Sequence, residues 1–232
     1  MPGQALVVFD PAREVITDLV PSEDAYTQER ALLGEVLPRV EAGELWIADR
    51  NFCTKGLLWG LHQRGAVSLI REHEQLRFKP WEAMRPSGEI DSGRVAEQRV
   101  LIDHPEGRGT LELRRIRLQL NEPTRDGETT LYLFSTVPTE AADACTLAQL
   151  YRERWTLEKA FLHLTVPLRC EINTLAYPPA ALFGLAMAVV AYNVLAVVKA
   201  TLRRVYGAEA IDEGVSGYYM VNEMAHVAES LE

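Results

Sequence analysis

The chain has 232 residues, of which 47% are hydrophobic and 25% are charged, enough for one domain or for one domain with an inserted subdomain. This composition excludes a disordered chain, and the net charge of -9 argues against a dedicated nucleic-acid-binding module, which usually has a basic excess. It does not exclude an enzyme that acts on nucleic acid through a local basic groove. Three widely separated cysteines without a CxxC motif, and no signal peptide, indicate a reducing cytoplasm.

The first seventy residues alternate between strand and helix signals. Short apolar runs at residues 5–9 and 14–20 are joined by a tight turn and predict a β-hairpin. A helix signal follows from Ser22 to Val40, and then come a strand, a helix and a strand at 45–48, 55–64 and 66–70. This order is typical of an α/β core in which the later strands run parallel.

The rest of the chain changes character twice. Alternating segments separated by turn clusters predict an antiparallel β insertion over residues 71–137. Helical patterns resume over 139–164, and the tail from residue 208 is of uncertain order. We therefore predict an N-terminal part of the core at 1–70, the insertion at 71–137, a C-terminal helical part of the core at 138–207 and a tail at 208–232.

Residues 180–198 contain no charge and approach the length of a membrane span, and Lys199 follows them. Six of the nineteen are alanine, and Asn193 lies within the segment. A helix that is apolar on all sides is also typical of the centre of a large core. We expect a buried core helix, with a membrane span as the alternative.

Three polar residues, Tyr151, Arg154 and Glu158, have spacings of three and four. On a helix this spacing places a hydroxyl, a guanidinium and a carboxylate on one face. One interpretation is an exposed ion pair between Arg154 and Glu158, which contributes little to stability. The other is a functional site.

Asp49 directly follows the apolar strand 45–48, and α/β proteins place ligands at this end of a strand. Asp also favours turns and helix caps without any further role. A strand-end Asp and a later helical Glu are, however, the arrangement needed for two-metal phosphoryl transfer, since Mg²⁺ prefers oxygen ligands.

Residues 46–52 with Asp49, the β insertion, and Tyr151-x2-Arg154-x3-Glu158 together resemble the DDE transposases of bacterial insertion sequences. The resemblance is to the subgroup with a Y-x2-R-x3-E-x6-K signature, and it runs from about residue 5 to residue 204. It implies a ribonuclease H-like core with an antiparallel β insertion and C-terminal helices. It also implies that Asp49 and Glu158 are catalytic and bind Mg²⁺ or Mn²⁺, while Tyr151 and Arg154 support Glu158 and contact DNA phosphate at transposon ends.

Two departures from the family pattern bear on activity. The signature lysine falls at position 165, which is Thr165, so a DNA-contacting cation is missing or is supplied from elsewhere. The family's first aspartate lies on a strand ahead of the hairpin, and neither Asp10 nor Asp18 occupies such a position. We therefore expect an N-terminally truncated core that lacks its first strand, has an incomplete two-metal site and is inactive alone.

Arg115 and Arg117 share one face of a predicted strand, whereas Arg114 points to the other face. The face with Arg115 and Arg117 either lies along a DNA backbone or is simply solvated. The sequence is compatible with three functions: a truncated DDE transposase core, a non-catalytic remnant that binds DNA or protein, and a membrane-anchored protein. The protein partner would be a second copy in a homo-oligomer or a full-length transposase. The resemblance favours the first, with no membrane partner.

Overall fold

The computed structural model describes residues 4–24, 26–152, 154 and 177–215. Glu158 and Thr165 lie outside these residues. The chain divides into two units: residues 1–28 with 155–232, called the hairpin unit, and residues 29–154, called the sheet unit. The four-part division expected from the sequence stays a prediction.

In chain order the strands are β1 (Gln4–Asp10), β2 (Val15–Ser22), β3 (Leu45–Ala48), β4 (Val67–Arg71), β5 (Lys79–Pro80), β6 (Arg85–Ile90), β7 (Gly93–Asp103), β8 (Thr110–Leu120) and β9 (Thr130–Ser135). The described α-helices are α1 (Leu33–Val36), α2 (Lys55–Gln63), α3 (Ala144–Arg152), α4 (Pro178–Tyr206) and α5 (Ala208–Gly214). Short 3-10 helices occupy Glu29–Leu32, Leu37–Arg39 and Arg50–Phe52.

One mixed sheet organises the sheet unit, with the strand order β3-β4-β9-β8-β7-β5 and with β6 also paired to β7. β3 and β4 are parallel, with Ala48 opposite Ile70, and the other neighbours are antiparallel. The parallel pair and the antiparallel strands after residue 71 are therefore confirmed. They form a single continuous sheet, because β9 pairs directly with β4.

Both faces of this sheet are buried. On one face Leu58 and Leu61 of α2 pack with Phe134 of β9, and all three are fully buried. On the other face Leu147 of α3 packs with Leu133 of β9 in a second cluster. Burying a side chain of this size contributes roughly 1.5–3 kcal/mol. Leu133 and Phe134 are adjacent in β9 but pack in opposite clusters, because successive side chains of a strand point to opposite faces.

In the hairpin unit β1 and β2 form the predicted hairpin. The helix α4 packs on it through Ala188 and Val189, which contact Ile16 of β2. The Asn193 amide accepts a hydrogen bond from the Ile16 backbone nitrogen at 2.9 Å and donates one to its carbonyl oxygen at 2.8 Å. The polar residue inside the apolar segment therefore continues the hydrogen bonding of β2.

Two helix predictions are wrong. The signal over residues 22–40 yields only short helical turns from Glu29 onwards, since Pro38 lacks a backbone donor and Gly34 weakens the segment. The apolar helix is not buried on all sides, because its large side chains on one face, such as Phe183 and Val190, are exposed. Small residues of α4 face the hairpin instead. They permit close packing there but leave the large side chains of the other face exposed.

Candidate active site

Asp49 occupies the end of β3, where the chain turns into a 3-10 helix. Its backbone oxygen accepts a hydrogen bond from the Phe52 nitrogen at 3.0 Å, which fixes the start of that turn. The side chain is 33% exposed. The carboxylate is thus held at the end of the parallel strands and remains open to solvent.

Arg71 ends the neighbouring strand β4 and lies beside Asp49, as the register of the parallel pair requires. Its Nη1 is 4.0 Å from Asp49 Oδ1, while its Nη2 donates a hydrogen bond to Glu128. Arg50 reaches the same Glu128 carboxylate at 3.4 Å. One guanidinium, with a side chain only 18% exposed, therefore lies between two carboxylates.

Tyr151 approaches Asp49 from the helix α3. Asp143 caps this helix by accepting a hydrogen bond from the Thr146 nitrogen at 2.7 Å, a bond that lowers the pKa of Asp143. Tyr151 is 5% exposed, and its hydroxyl donates to Asp49 Oδ1 at 3.3 Å. Burial raises the pKa of Tyr151 well above its usual value, so the phenol keeps its proton and remains a donor.

Arg154 lies in a turn two residues beyond the end of α3. Its backbone nitrogen donates to the Tyr151 oxygen at 3.1 Å, and its guanidinium carbon is 5.7 Å from the centre of the Tyr151 ring. At this distance the cation is attracted to the face of the ring. Arg154 and Tyr151 are therefore neighbours, whereas a shared helix face with Glu158 stays a prediction.

A cleft of about 540 Å³ opens next to Asp49 and is lined by Arg50, Arg71, Glu72 and Glu128, among others. Two residues of its wall, Glu72 and Tyr132, contact Arg115: Glu72 accepts two hydrogen bonds from the guanidinium, at 2.6 and 3.0 Å, and the guanidinium carbon lies 3.9 Å from the centre of the Tyr132 ring. Arg115 therefore has internal partners and is not simply solvated, while contact of this face with DNA stays a prediction. Its partners satisfy and partly bury the guanidinium.

Arg114 points to the opposite face of β8, as predicted, and is buried there. Its Nη1 donates to the Val137 oxygen at 3.0 Å and to the Ala142 oxygen at 2.7 Å, and its Nε bonds to Glu97. These carbonyl groups lie in the connection between β9 and α3. Arg114 thus ties the sheet to the segment that precedes the Tyr151 helix.

The donor chemistry at Asp49 and Glu128 suits a hard divalent ion, which prefers carboxylate oxygens. Among the residues described here, however, no three potential ligands come together. Tyr151 and Arg71 contact Asp49, and Glu158 lies outside the described part of the chain. The described residues thus provide carboxylates of the right kind but not a complete ligand set.

Of the residues predicted from sequence, Asp49, Tyr151 and Arg154 lie close together in the sheet unit. Sequence reasoning missed Arg71 and Glu128. Arg71 had a detectable signal, because it ends the strand parallel to the one that ends at Asp49. Glu128 had none, since its position depends on how the turn before β9 folds back.

Comparison with known proteins identifies the family of the chain. A family model described as a transposase DDE domain matches residues 4–194. No curated protein matches the chain. The mixed α/β structure is compatible with a ribonuclease H-like transposase fold. Transposases of this family bind DNA at transposon ends and generally use divalent metal ions. Since the match covers most of its length, the chain belongs to the transposase DDE domain family.

Proposed function

We propose that the chain performs DNA strand cleavage and strand transfer at transposon ends, with Asp49 and Glu158 as catalytic carboxylates. The hydrogen bond from Tyr151 to Asp49 carries this proposal. It joins two residues that are 102 positions apart and that stand out in the sequence for separate reasons, one as a strand-end aspartate and the other by helical spacing. It also brings α3, which ends six residues before Glu158 in the sequence, to the strand end at Asp49.

The residues around Asp49 have separable tasks in this proposal. Tyr151 donates to one carboxylate oxygen and so orients the group, while the other oxygen remains available to a ligand. Arg71 supplies positive charge beside Asp49 and restrains Glu128. Arg154 stays next to Tyr151 and supports Glu158 or a DNA phosphate. Mg²⁺ or Mn²⁺ held by Asp49 and Glu158 would activate the attacking water or hydroxyl and stabilise the leaving oxygen.

This proposal differs from the expectation that a core without the first aspartate is inactive alone, and a nicking assay on supercoiled DNA decides between the two. We expect the purified chain to nick DNA in the presence of Mg²⁺ but not with a chelator, and the activity to disappear in Asp49→Ala. Asp103→Ala is the matched control, because Asp103 is an exposed carboxylate paired with Lys79 at the end of β7. Cleavage that survives in Asp49→Ala would contradict the proposed role of this residue.

A second candidate function is a non-catalytic module that binds DNA or protein, including another copy or a full-length transposase. The observation that favours it is the position of Arg71, which already supplies a cation between Asp49 and Glu128. Retained DNA binding without nicking by the unsubstituted chain would support this function. Nicking that depends on Asp49 would exclude it.

We further propose that the protein acts in the cytoplasm rather than in a membrane. The helix α4 is long and apolar enough to cross a bilayer, but length and composition alone are weak evidence. Asn193 and the small residues of α4 instead pack on the hairpin. Recovery of the chain without detergent, as a monodisperse particle, would agree with this location; recovery only in detergent would contradict it.

A further inference from the structure

A second cavity in the sheet unit is lined by basic side chains. It has a volume of about 250 Å³, and Arg30, Asn51, Thr54, Lys55, His73 and Arg77 lie in its wall; we call it the basic pocket. No aspartate or glutamate is among its described lining residues. Three permanent cations around a small concave space favour an anion, because the positive potential is concentrated there.

The other cations of the sheet unit show why this pocket stands out. Arg71, Arg99 and Arg115, for example, each bond to a carboxylate. For Lys55 and Arg77, in contrast, the described part of the chain provides no ion pair. In a chain with a net charge of -9, two neighbouring cations such as Lys55 and Arg77 that have no ion pair among the described residues are a local exception.

The neutral groups of the basic pocket also suit an anion. Thr54 Oγ1 accepts a hydrogen bond from the Leu57 nitrogen at 3.1 Å, which leaves the hydroxyl proton to donate elsewhere. Asn51 is exposed and has an amide that can donate. A phosphate group, with several acceptor oxygens, can use hydroxyl, amide and cationic donors together.

The basic pocket adjoins the candidate active site. Asp49 and Asn51 belong to the same turn after β3, and His73 lines both the basic pocket and the cleft beside Asp49. A polyanion that binds with one phosphate at Asp49 would therefore place a neighbouring phosphate at the basic pocket. A DNA strand has this regular spacing of charges.

We propose that the basic pocket binds a backbone phosphate of the DNA strand that is processed at Asp49. This inference rests on the proposed function and identifies where the DNA is held. It supplies a cationic contact in a chain that has Thr165 in place of the signature lysine. The contact is to the backbone, so it contributes affinity and register but no base specificity.

The test measures binding of a fluorescein-labelled DNA duplex to the full chain by anisotropy, over a series of KCl concentrations and with a chelator present. The test variant is Lys55→Gln/Arg77→Gln, and the single variant Arg77→Gln removes only an exposed side chain. Arg94→Gln is the charge-matched control, since Arg94 is an exposed arginine at the start of β7. The basic pocket lies nearer the other end of that strand, where β5 pairs with Leu101.

We expect the double variant to bind DNA roughly tenfold more weakly, and the slope of log Kd against log salt concentration to fall by about 1, as for the loss of one phosphate contact. Arg77→Gln should show a smaller change in the same direction, and Arg94→Gln should bind like the unsubstituted chain. Equal losses in Arg94→Gln and Arg77→Gln, or no loss in either pocket variant, would overturn the inference while leaving the proposed function intact.

Two further arms separate the remaining explanations. Inorganic phosphate should compete with DNA no better than chloride at the same ionic strength, because the pocket is one part of an extended contact. Strong competition by inorganic phosphate would assign the pocket to a free anion and overturn the DNA assignment. Failure of the unsubstituted chain to bind any DNA would contradict the proposed function and this inference with it.

Discussion

Each unit of the molecule contains an arginine between two carboxylates. In the hairpin unit, Arg203 of α4 bonds to Glu14 in the β1–β2 turn, at 2.9 and 3.1 Å, and its Nε bonds to Asp212 of α5 at 2.8 Å. In the sheet unit, Arg71 lies between Asp49 and Glu128. In each network one arginine joins one aspartate and one glutamate.

Their surroundings differ. The Arg203 network connects a hairpin turn to two helices, and Lys199 adds a second cation to both carboxylates. The Arg71 network lies where two parallel strands end, next to a cleft, and one of its carboxylates also accepts a hydrogen bond from a buried tyrosine. A charged cluster therefore indicates function through its place in the fold rather than through its residue types.

The largest difference in nicking rate should appear between two glutamine variants, one at Glu158 of the signature and one at Glu128 of the sheet unit. We expect Glu158→Gln to reduce DNA nicking by about 10³-fold, as for loss of an essential electrostatic group in phosphoryl transfer. Glu128→Gln should retain most activity, since its partners are arginines rather than a substrate. Plasmid nicking rates check this, and the reverse order of effects would make Glu128 the catalytic glutamate.

The two arginines should differ in their contribution to stability. Arg71→Gln leaves the partly buried Asp49 and Glu128 carboxylates without their shared cation, and we expect it to lower the free energy of unfolding by about 2 kcal/mol. Arg203→Gln should lower it by about 1 kcal/mol or less, because the network is more exposed and Lys199 remains. Urea denaturation of the two variants measures this. A larger loss in Arg203→Gln would show that the hairpin network is the stronger one.

The Tyr151 hydroxyl should matter more for activity than for stability. Tyr151→Phe keeps the packing of the ring and removes the donor to Asp49, so we expect about tenfold slower nicking, equivalent to 1.4 kcal/mol. Tyr192→Phe in the hairpin unit is the control, and its nicking rate should not change. Equal rates for Tyr151→Phe and the unsubstituted chain would indicate that the hydrogen bond does not orient Asp49.

The smallest effect concerns acid stability of the hairpin unit. The hydrogen bond from Arg203 lowers the pKa of Glu14 below its ordinary value of 4.5. Because the folded pKa is below the unfolded pKa, the stabilisation is present above pH 4.5 and is lost as the pH falls through the folded pKa. We expect Glu14→Gln to lose less thermal stability between neutral and acidic pH than the unsubstituted chain. Parallel Tm–pH curves would contradict this.

The sequence predicts those parts of the fold that depend on local patterns. The hairpin, the parallel pair and the antiparallel strands have clear apolar periodicity, and Asp49 follows its strand directly. The helix expected over residues 22–40 fails because proline and glycine interrupt an apolar spacing that was otherwise helical. Nothing in the local pattern shows that one face of α4 would be exposed.

The candidate site is predictable to a similar degree. Asp49 and Tyr151 are accessible to sequence reasoning through strand position and helical spacing. Arg71, Glu128 and the basic pocket depend on which strands become neighbours and on how the turns fold back. Arg115 shows the same limit, because alternation gives its face but not its pairing with Glu72.

The central claim is that the carboxylate at the end of β3, rather than the similar network in the hairpin unit, binds the divalent ion. The most direct test is a Mn²⁺ titration of the full chain. Electron paramagnetic resonance measures binding as a loss of the free-ion signal. We predict that Asp49→Asn abolishes the tight binding and that the matched Asp212→Asn leaves it unchanged. Tight Mn²⁺ binding that persists in Asp49→Asn would contradict the account.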